Sequence, residues 1–158
     1  MDHIDASKPT DNVLDMSVFF PENLSAPCEE LISYAPSPKF MRDKAGNAIE
    51  WRLRYLTSDE EPDLRKRCHK KVPVTGRRGQ FTEDFDGTKY VMLVALECTV
   101  FPDLKDVKLQ DKYGVKGEEE LIRKLLWRSG DLLRYMNYVS EMNGLDLSLE
   151  EVVEDEKN

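Results

Sequence analysis

The sequence has little of what most enzymes and most secreted domains rely on. Its 158 residues include two histidines and three cysteines. Cys28, Cys68 and Cys98 are far apart and odd in number, which argues against a disulfide framework and for a reducing cytosol. The adjacent pair Cys68-His69 is a poor start for a metal site, because neighbours on a helix point about 100° apart. GxxxxGK[ST], GxGxxG and GxSxG are all missing, which removes the common phosphate cradles and the nucleophile elbow. The longest apolar run, Tyr90–Leu96, is seven residues, against about 20 for a membrane helix. The N-terminus carries Asp2, Asp5 and Asp11 and no apolar core of a signal peptide. No catalytic group, metal or other cofactor is expected, and no membrane contact.

What is present is charge and apolar patterning. Charged residues make up 34% of the chain and the net charge is -8, unlike a domain built for phosphate backbones. Yet residues 65–78 hold seven of the 23 basic residues and no acid, leaving the remainder at -15. That block reads either as a solvated helix end running into a loop, or as a surface for an acid-rich partner. Arg65, Arg67, Arg77 and Arg78 are its candidate contact residues. From Asp146 to Asn158 the bias reverses, with six acids against Lys157, the pattern of a solvated tail.

Periodicity gives an expected order of elements. Residues 1–15 are polar and expected to be flexible. Val18-Phe19-Phe20 before Pro21 suggest one helical turn, an apolar hook for the body. Leu31-Ile32 and the prolines at 36 and 38 indicate extended chain. Arg42–Asn47 is a turn. Ile49–Tyr55 then alternates apolar and charged residues, the pattern of a half-buried strand with Ile49, Trp51, Leu53 and Tyr55 inward.

After this N-terminal antiparallel β-unit everything reads as helix. A capping box Ser58-x-x-Glu61 opens a helix to about Lys71, and residues 73–79 form a loop. A nearly all-apolar helix spans about Thr88–Phe101 and is the candidate for the centre of the core. Short helices follow around Val107–Tyr113 and from Gly117. The last runs over Asp131–Asn143, with Leu132, Leu133, Met136 and Val139 inward. The acids at 83, 84, 86, 103 and 106 read as helix caps. The expected fold is α+β, mainly α: a helical domain with a small N-terminal antiparallel β-unit. On the final helix, Tyr135, Tyr138 and Met142 either fill the core or offer adaptable contacts to a partner.

Two stretches, Gly79-Gln-Phe-Thr-Glu-Asp-Phe-Asp86 and Phe101-Pro-Asp-Leu-Lys-Asp106 followed by Leu109-Gln-Asp-Lys-Tyr-Gly-Val115, carry a family resemblance. With the turn Asp43-Lys-Ala-Gly-Asn47 and the run Leu64-Arg-Lys-Arg-Cys68, the sequence resembles the tail assembly chaperones of long-tailed phages and PBSX-like prophages of Gram-positive bacteria. The resemblance spans about residues 16–145, so the chain divides into a flexible 1–15, a chaperone domain and an acidic tail. It implies a non-enzymatic protein of the host cytoplasm that coats and solubilises the tape measure protein. It also implies tail tube loading through a longer form made by ribosomal frameshifting, absence from the finished virion, and a possible homo-oligomer. Two other classes are a structural tail component, such as a tube or baseplate subunit, and a nucleic-acid-associated protein using residues 65–78. The acidity of the remaining chain makes nucleic acid the less expected partner.

The acidic tail holds four large apolar residues, Leu147, Leu149, Val152 and Val153, too few to offset ordering entropy of roughly 1–2 kcal/mol per residue. Truncation after Leu145 is expected to leave the thermal midpoint nearly unchanged; a drop of many degrees in a calorimetric scan contradicts this.

Overall fold

The computed structural model describes residues 14–27 and 29–145. The expectations for residues 1–13 and for the acidic stretch from Asp146 onward lie outside the described residues. The chain enters through two 3-10 turns, Met16–Phe19 and Pro21–Asn23. The Asp15 carboxylate accepts the Ser17 N–H at 2.9 Å, and the Asn23 amide donates to the Ser17 carbonyl at 2.7 Å. The turn is therefore formed as expected. It does not hook onto the body, however, because Phe19 is 66% exposed and Phe20 50%.

Strands β1 (Ile32–Tyr34) and β2 (Trp51–Leu53) pair antiparallel, with Tyr34 opposite Trp51 and Ile32 opposite Leu53. Asp43 holds the intervening turn by accepting the Asn47 N–H at 2.9 Å, and Gly46 supplies its positive φ of 86°. The alternation is realised only at the centre: Trp51 and Leu53 are fully buried, Ile49 is half-buried and Tyr55 is exposed.

Helix α1 (Glu61–Lys66) is shorter than its expected range, and its capping box lies one residue earlier. The Thr57 hydroxyl accepts the Glu60 N–H while the Glu60 carboxylate accepts the Thr57 N–H, the reciprocal pattern of such a box. The expected continuation to Lys71 is replaced by strand β3 (His69–Pro73), paired antiparallel with β4 (Phe81–Phe85). A helix would have stacked Lys66 on Lys70 and Arg67 on Lys71, like charges four residues apart. The hairpin sets Lys70 opposite Asp84 and Lys71 opposite Glu83 instead. Glu83 and Asp84 are thus strand residues and not helix caps. Asp86, Asp103 and Asp106 do take local backbone N–H groups, from Lys89, Lys105 and Lys108.

Helix α2 (Gly87–Cys98) is the central element, burying Tyr90, Val91, Met92, Val94, Ala95, Leu96 and Cys98. It stops three residues earlier than expected, and Thr99–Phe101 forms β5, which joins β2 in a sheet of order β1-β2-β5. Two β-branched residues followed by the residue before Pro102 favour extended backbone over helix. Helices α3 (Val107–Lys112), α4 (Glu118–Leu125) and α5 (Ser129–Met142) follow. The core cluster takes Leu121, Ile122 and Leu126 from the α4 region, and Leu132, Tyr135, Met136 and Val139 from α5. Leu133, expected inward, is 43% exposed. The fold is therefore mixed α+β, and its strands are not confined to an N-terminal unit.

Arg54, just beyond β2, ties three elements together. Its guanidinium donates to both Glu60 oxygens at 2.8 and 2.7 Å and to Glu97 of α2 at 2.9 Å. The Arg54 bond first, and then the bonds from Thr57, hold the Glu60 carboxyl at about 2, below its ordinary 4.5. A lowered folded-state value means the contribution is complete above pH 4.5 and is lost as pH falls toward 2. Glu60→Gln should lower stability near neutral pH by about 1 kcal/mol, roughly 2–4 °C in thermal midpoint. The gap from wild type should narrow between pH 4.5 and 2.5; a gap constant with pH in thermal melts counts against this account.

Candidate functional site

Most apolar side chains between residues 87 and 145 turn inward, but one set stays open. The segment after Pro38 brings Phe40 and Met41 to the mouth of a groove of about 490 Å³, with Ile49 and Trp51 on the side of β2. Phe101 and Pro102 follow from β5, Leu109 and Tyr113 from the α3 region, and Lys124, Leu125 and Trp127 from the end of α4. Trp127 is 65% exposed, and Phe40, Phe101 and Tyr113 are also exposed.

The frame of this groove is fixed by specific contacts. Phe40 packs edge-on against Trp127 at 5.4 Å, and the Arg128 guanidinium lies 4.6 Å over the Phe40 ring. The Trp51 indole N–H donates to the Met41 sulfur at 3.1 Å. Gln110 bridges α3 to its surroundings, donating to the Leu104 carbonyl at 2.8 Å and accepting the Gly117 N–H at 3.1 Å. Beside the groove, the buried Asp131 carboxylate accepts from the Ser37 hydroxyl at 2.8 Å and from Arg134, and forms an ion pair with Arg128 at 3.3 Å. These contacts, led by the hydrogen bond from Ser37, hold its carboxyl below the usual carboxylate value. They anchor the Pro36–Pro38 corner, and with it Phe40, to the start of α5.

The residues singled out from sequence are spread over separate elements. Tyr135 is fully buried, so it is a core residue and is not presented to a partner. Its ring meets Trp51 edge-on at 5.1 Å, its hydroxyl bonds to the Thr99 hydroxyl, and burial pushes its phenol well up. Tyr138 and Met142 are half-buried, with Tyr138 stacked on Tyr34 at 3.9 Å. Arg65 is engaged within the fold: it pairs with Glu61 at 2.8 Å and lies over the rings of Phe85 and Tyr90. Arg67 caps α1 with an exposed side chain, while Arg77 and Arg78 stand exposed between Gly76 and Gly79 in the β3–β4 connection.

Sequence reasoning did not find Phe40, Tyr113 or Trp127. Each sits within two residues of a proline, a glycine or a helix end, where neither the helical nor the strand period applies. The available signal was four aromatics each within two residues of a proline, a glycine or a helix end, since Phe101 precedes Pro102. Among the described residues no cluster of His, Cys, Asp and Glu could hold a metal ion, and no helix is long and apolar enough to cross a membrane. Burial pushes the Cys98 thiol up to about 11 and raises that of Cys68, so both behave as small apolar groups.

The family model of the phage XkdN-like tail assembly chaperone protein matches residues 17–157. The chain belongs to this family. The match runs on through the acidic stretch set apart above as a tail. Over 154 residues the chain is 29% identical to the phage-like element PBSX protein XkdN of Bacillus subtilis (strain 168), covering 96% of this chain and 99% of that one. Over 155 residues it is 28% identical to the uncharacterised protein YqbN of the same strain, covering 97% and 99%. A crystal structure of YqbN shares the fold, with a TM-score of 0.63 at 24% identity over 84% of this chain and 98% of that chain. Of the groove residues of this XkdN-like chaperone, Phe101, Pro102, Leu109 and Tyr113 come from the 101–115 stretch that carried the resemblance in sequence.

Two substitutions separate core from surface here. Tyr135→Phe removes the bond to Thr99 and should lower stability by about 0.5–1.5 kcal/mol. The pair Arg77→Ser and Arg78→Ser should stay within about 0.5 kcal/mol of wild type. Urea unfolding checks both, and a large loss from the arginine pair would mean the hairpin connection carries structure.

Proposed function

We propose that the protein binds and solubilises a phage tape measure protein while the tail is being assembled. The match to the chaperone family over residues 17–157 carries this reading. A client with long apolar helices asks for a carrier that is itself well charged and that leaves apolar surface open. A net charge of -8 and the exposed aromatics Phe40, Phe101, Tyr113 and Trp127 meet both demands. The role is one of binding, without catalysis, in the host cytoplasm, and the protein is left out of the finished virion. Residues 16–145 form the chaperone domain, and a longer frameshifted form engages the tail tube protein. The nucleic-acid reading has less behind it, because Lys70 and Lys71 are opposed in register by Asp84 and Glu83.

One chain of 158 residues covers a small part of so long a client, so several copies per client are expected. Co-expression with the tape measure protein of the same tail module should move that protein into the soluble fraction and co-purify it at a ratio well above one to one. A tape measure protein that stays insoluble at every chaperone level, or this chain found in stoichiometric amount in purified tails, overturns the proposal.

A further inference from the structure

Among the described residues a second apolar surface stands open besides the groove. Residues 14–24 expose Leu14, Met16, Val18, Phe19, Phe20 and Leu24, and none of them belongs to the core cluster. This hook is already shaped, because Asp15 and Asn23 both bind Ser17 and fix its two turns. A preformed segment loses less conformational freedom on docking than a coil does. Hook and groove also carry opposite charge. The charged residues of the hook are Asp15 and Glu22, with no basic residue between 14 and 24. The charged residues lining the groove are Arg42 and Lys124, with no acid among them. At about 490 Å³ the groove lies within the range of roughly 300–1,000 Å³ in which clefts take up discrete ligands.

We propose that the hook of one copy docks in the groove of a second copy of this chain. Phe19 and Phe20 pack against the exposed aromatics around Trp127, and Asp15 and Glu22 face Arg42 and Lys124. The contact joins two different patches, so it is head-to-tail: each copy gives one hook and receives another, and chains of copies grow until a ring closes or they end. Such an array places many chaperones along one extended client. The inference goes beyond the proposed function, since it concerns how copies meet and holds whatever the client is.

The full-length protein tests it without any client. Trp51 and Trp127 are the two tryptophans of the chain and both line the groove, so intrinsic fluorescence reads groove occupancy. Sedimentation of the wild type should show association that rises with concentration and weakens with salt. Phe19→Asp with Phe20→Asp removes the hook's anchors, and Trp127→Asp fills the groove mouth with like charge for the hook's acids. Both sites are exposed, and circular dichroism checks the fold; Tyr113→Asp is the substitute groove variant should Trp127→Asp unfold. Each variant alone should associate more than about tenfold more weakly than wild type. Their equimolar mixture should form a one-to-one pair and stop there, because one intact hook and one intact groove remain. A peptide of residues 14–24 should shift the tryptophan emission of the hook variant, and the same peptide carrying both aspartates should not. A wild type that is monomeric throughout, the result if each hook lies on its own groove, overturns the proposal. So do variants that associate like wild type, a mixture that fails to pair, and a peptide that leaves the emission unchanged. A failed client-solubility assay leaves all these readouts standing, so the two proposals fail separately.

Discussion

A helix that is apolar on nearly every side cannot lie on a surface, and this requirement of α2 organises the molecule. At 12 residues it has no polar face to give to water, so cover must come from several directions. Helices α1, α4 and α5 pack against it, and β5 continues directly from its end into the sheet with β2. The few polar groups at its boundary are each given a partner, as burial demands. The Tyr90 hydroxyl donates to Glu61 at 2.8 Å, and burial pushes that phenol up to about 12. Thr99 donates to the Ala95 carbonyl at 2.7 Å and so accepts from Tyr135.

The same requirement explains the joints between elements. Asn143, just past α5, accepts the Leu56 N–H at 2.8 Å and donates to the Val139 carbonyl at 2.8 Å, so the end of the last helix is tied to the chain beyond β2. Arg54 fastens the same stretch to α1 and α2. Segments far apart in sequence thus meet around the rim of α2 through charged or amide side chains, while the apolar residues face inward.

Against this closed core, the groove and the hook stand out as apolar surface that none of the described residues covers. Scattered apolar residues on a surface are ordinary, but four exposed aromatics around one groove are the kind of surface at which proteins take up partners. The frame beneath it is braced by hydrogen bonds: Asp131 holds the Pro36–Pro38 corner, and Gln110 holds α3 to the start of α4. A member of an assembly chaperone family has reason to keep such a surface formed before its partner arrives.

Elements whose apolar period is long and unbroken can be read directly from the order of residues. The central helix, the amphipathic α4 and α5 and the Asp43–Asn47 turn are legible because each is decided by neighbours within a few residues. Family membership was legible for a similar reason, since its motifs are contiguous. Tertiary structure decided what depends on distant partners. Residues 69–73 are a strand because Asp84 and Glu83 lie across from Lys70 and Lys71, and β5 is a strand because β2 offers it an edge. Tyr135 is core and Trp127 surface although both are aromatics in or beside helices, because burial depends on what packs opposite. The groove belongs wholly to this second kind, being assembled from five separate stretches of chain, and no local pattern encodes where such stretches meet.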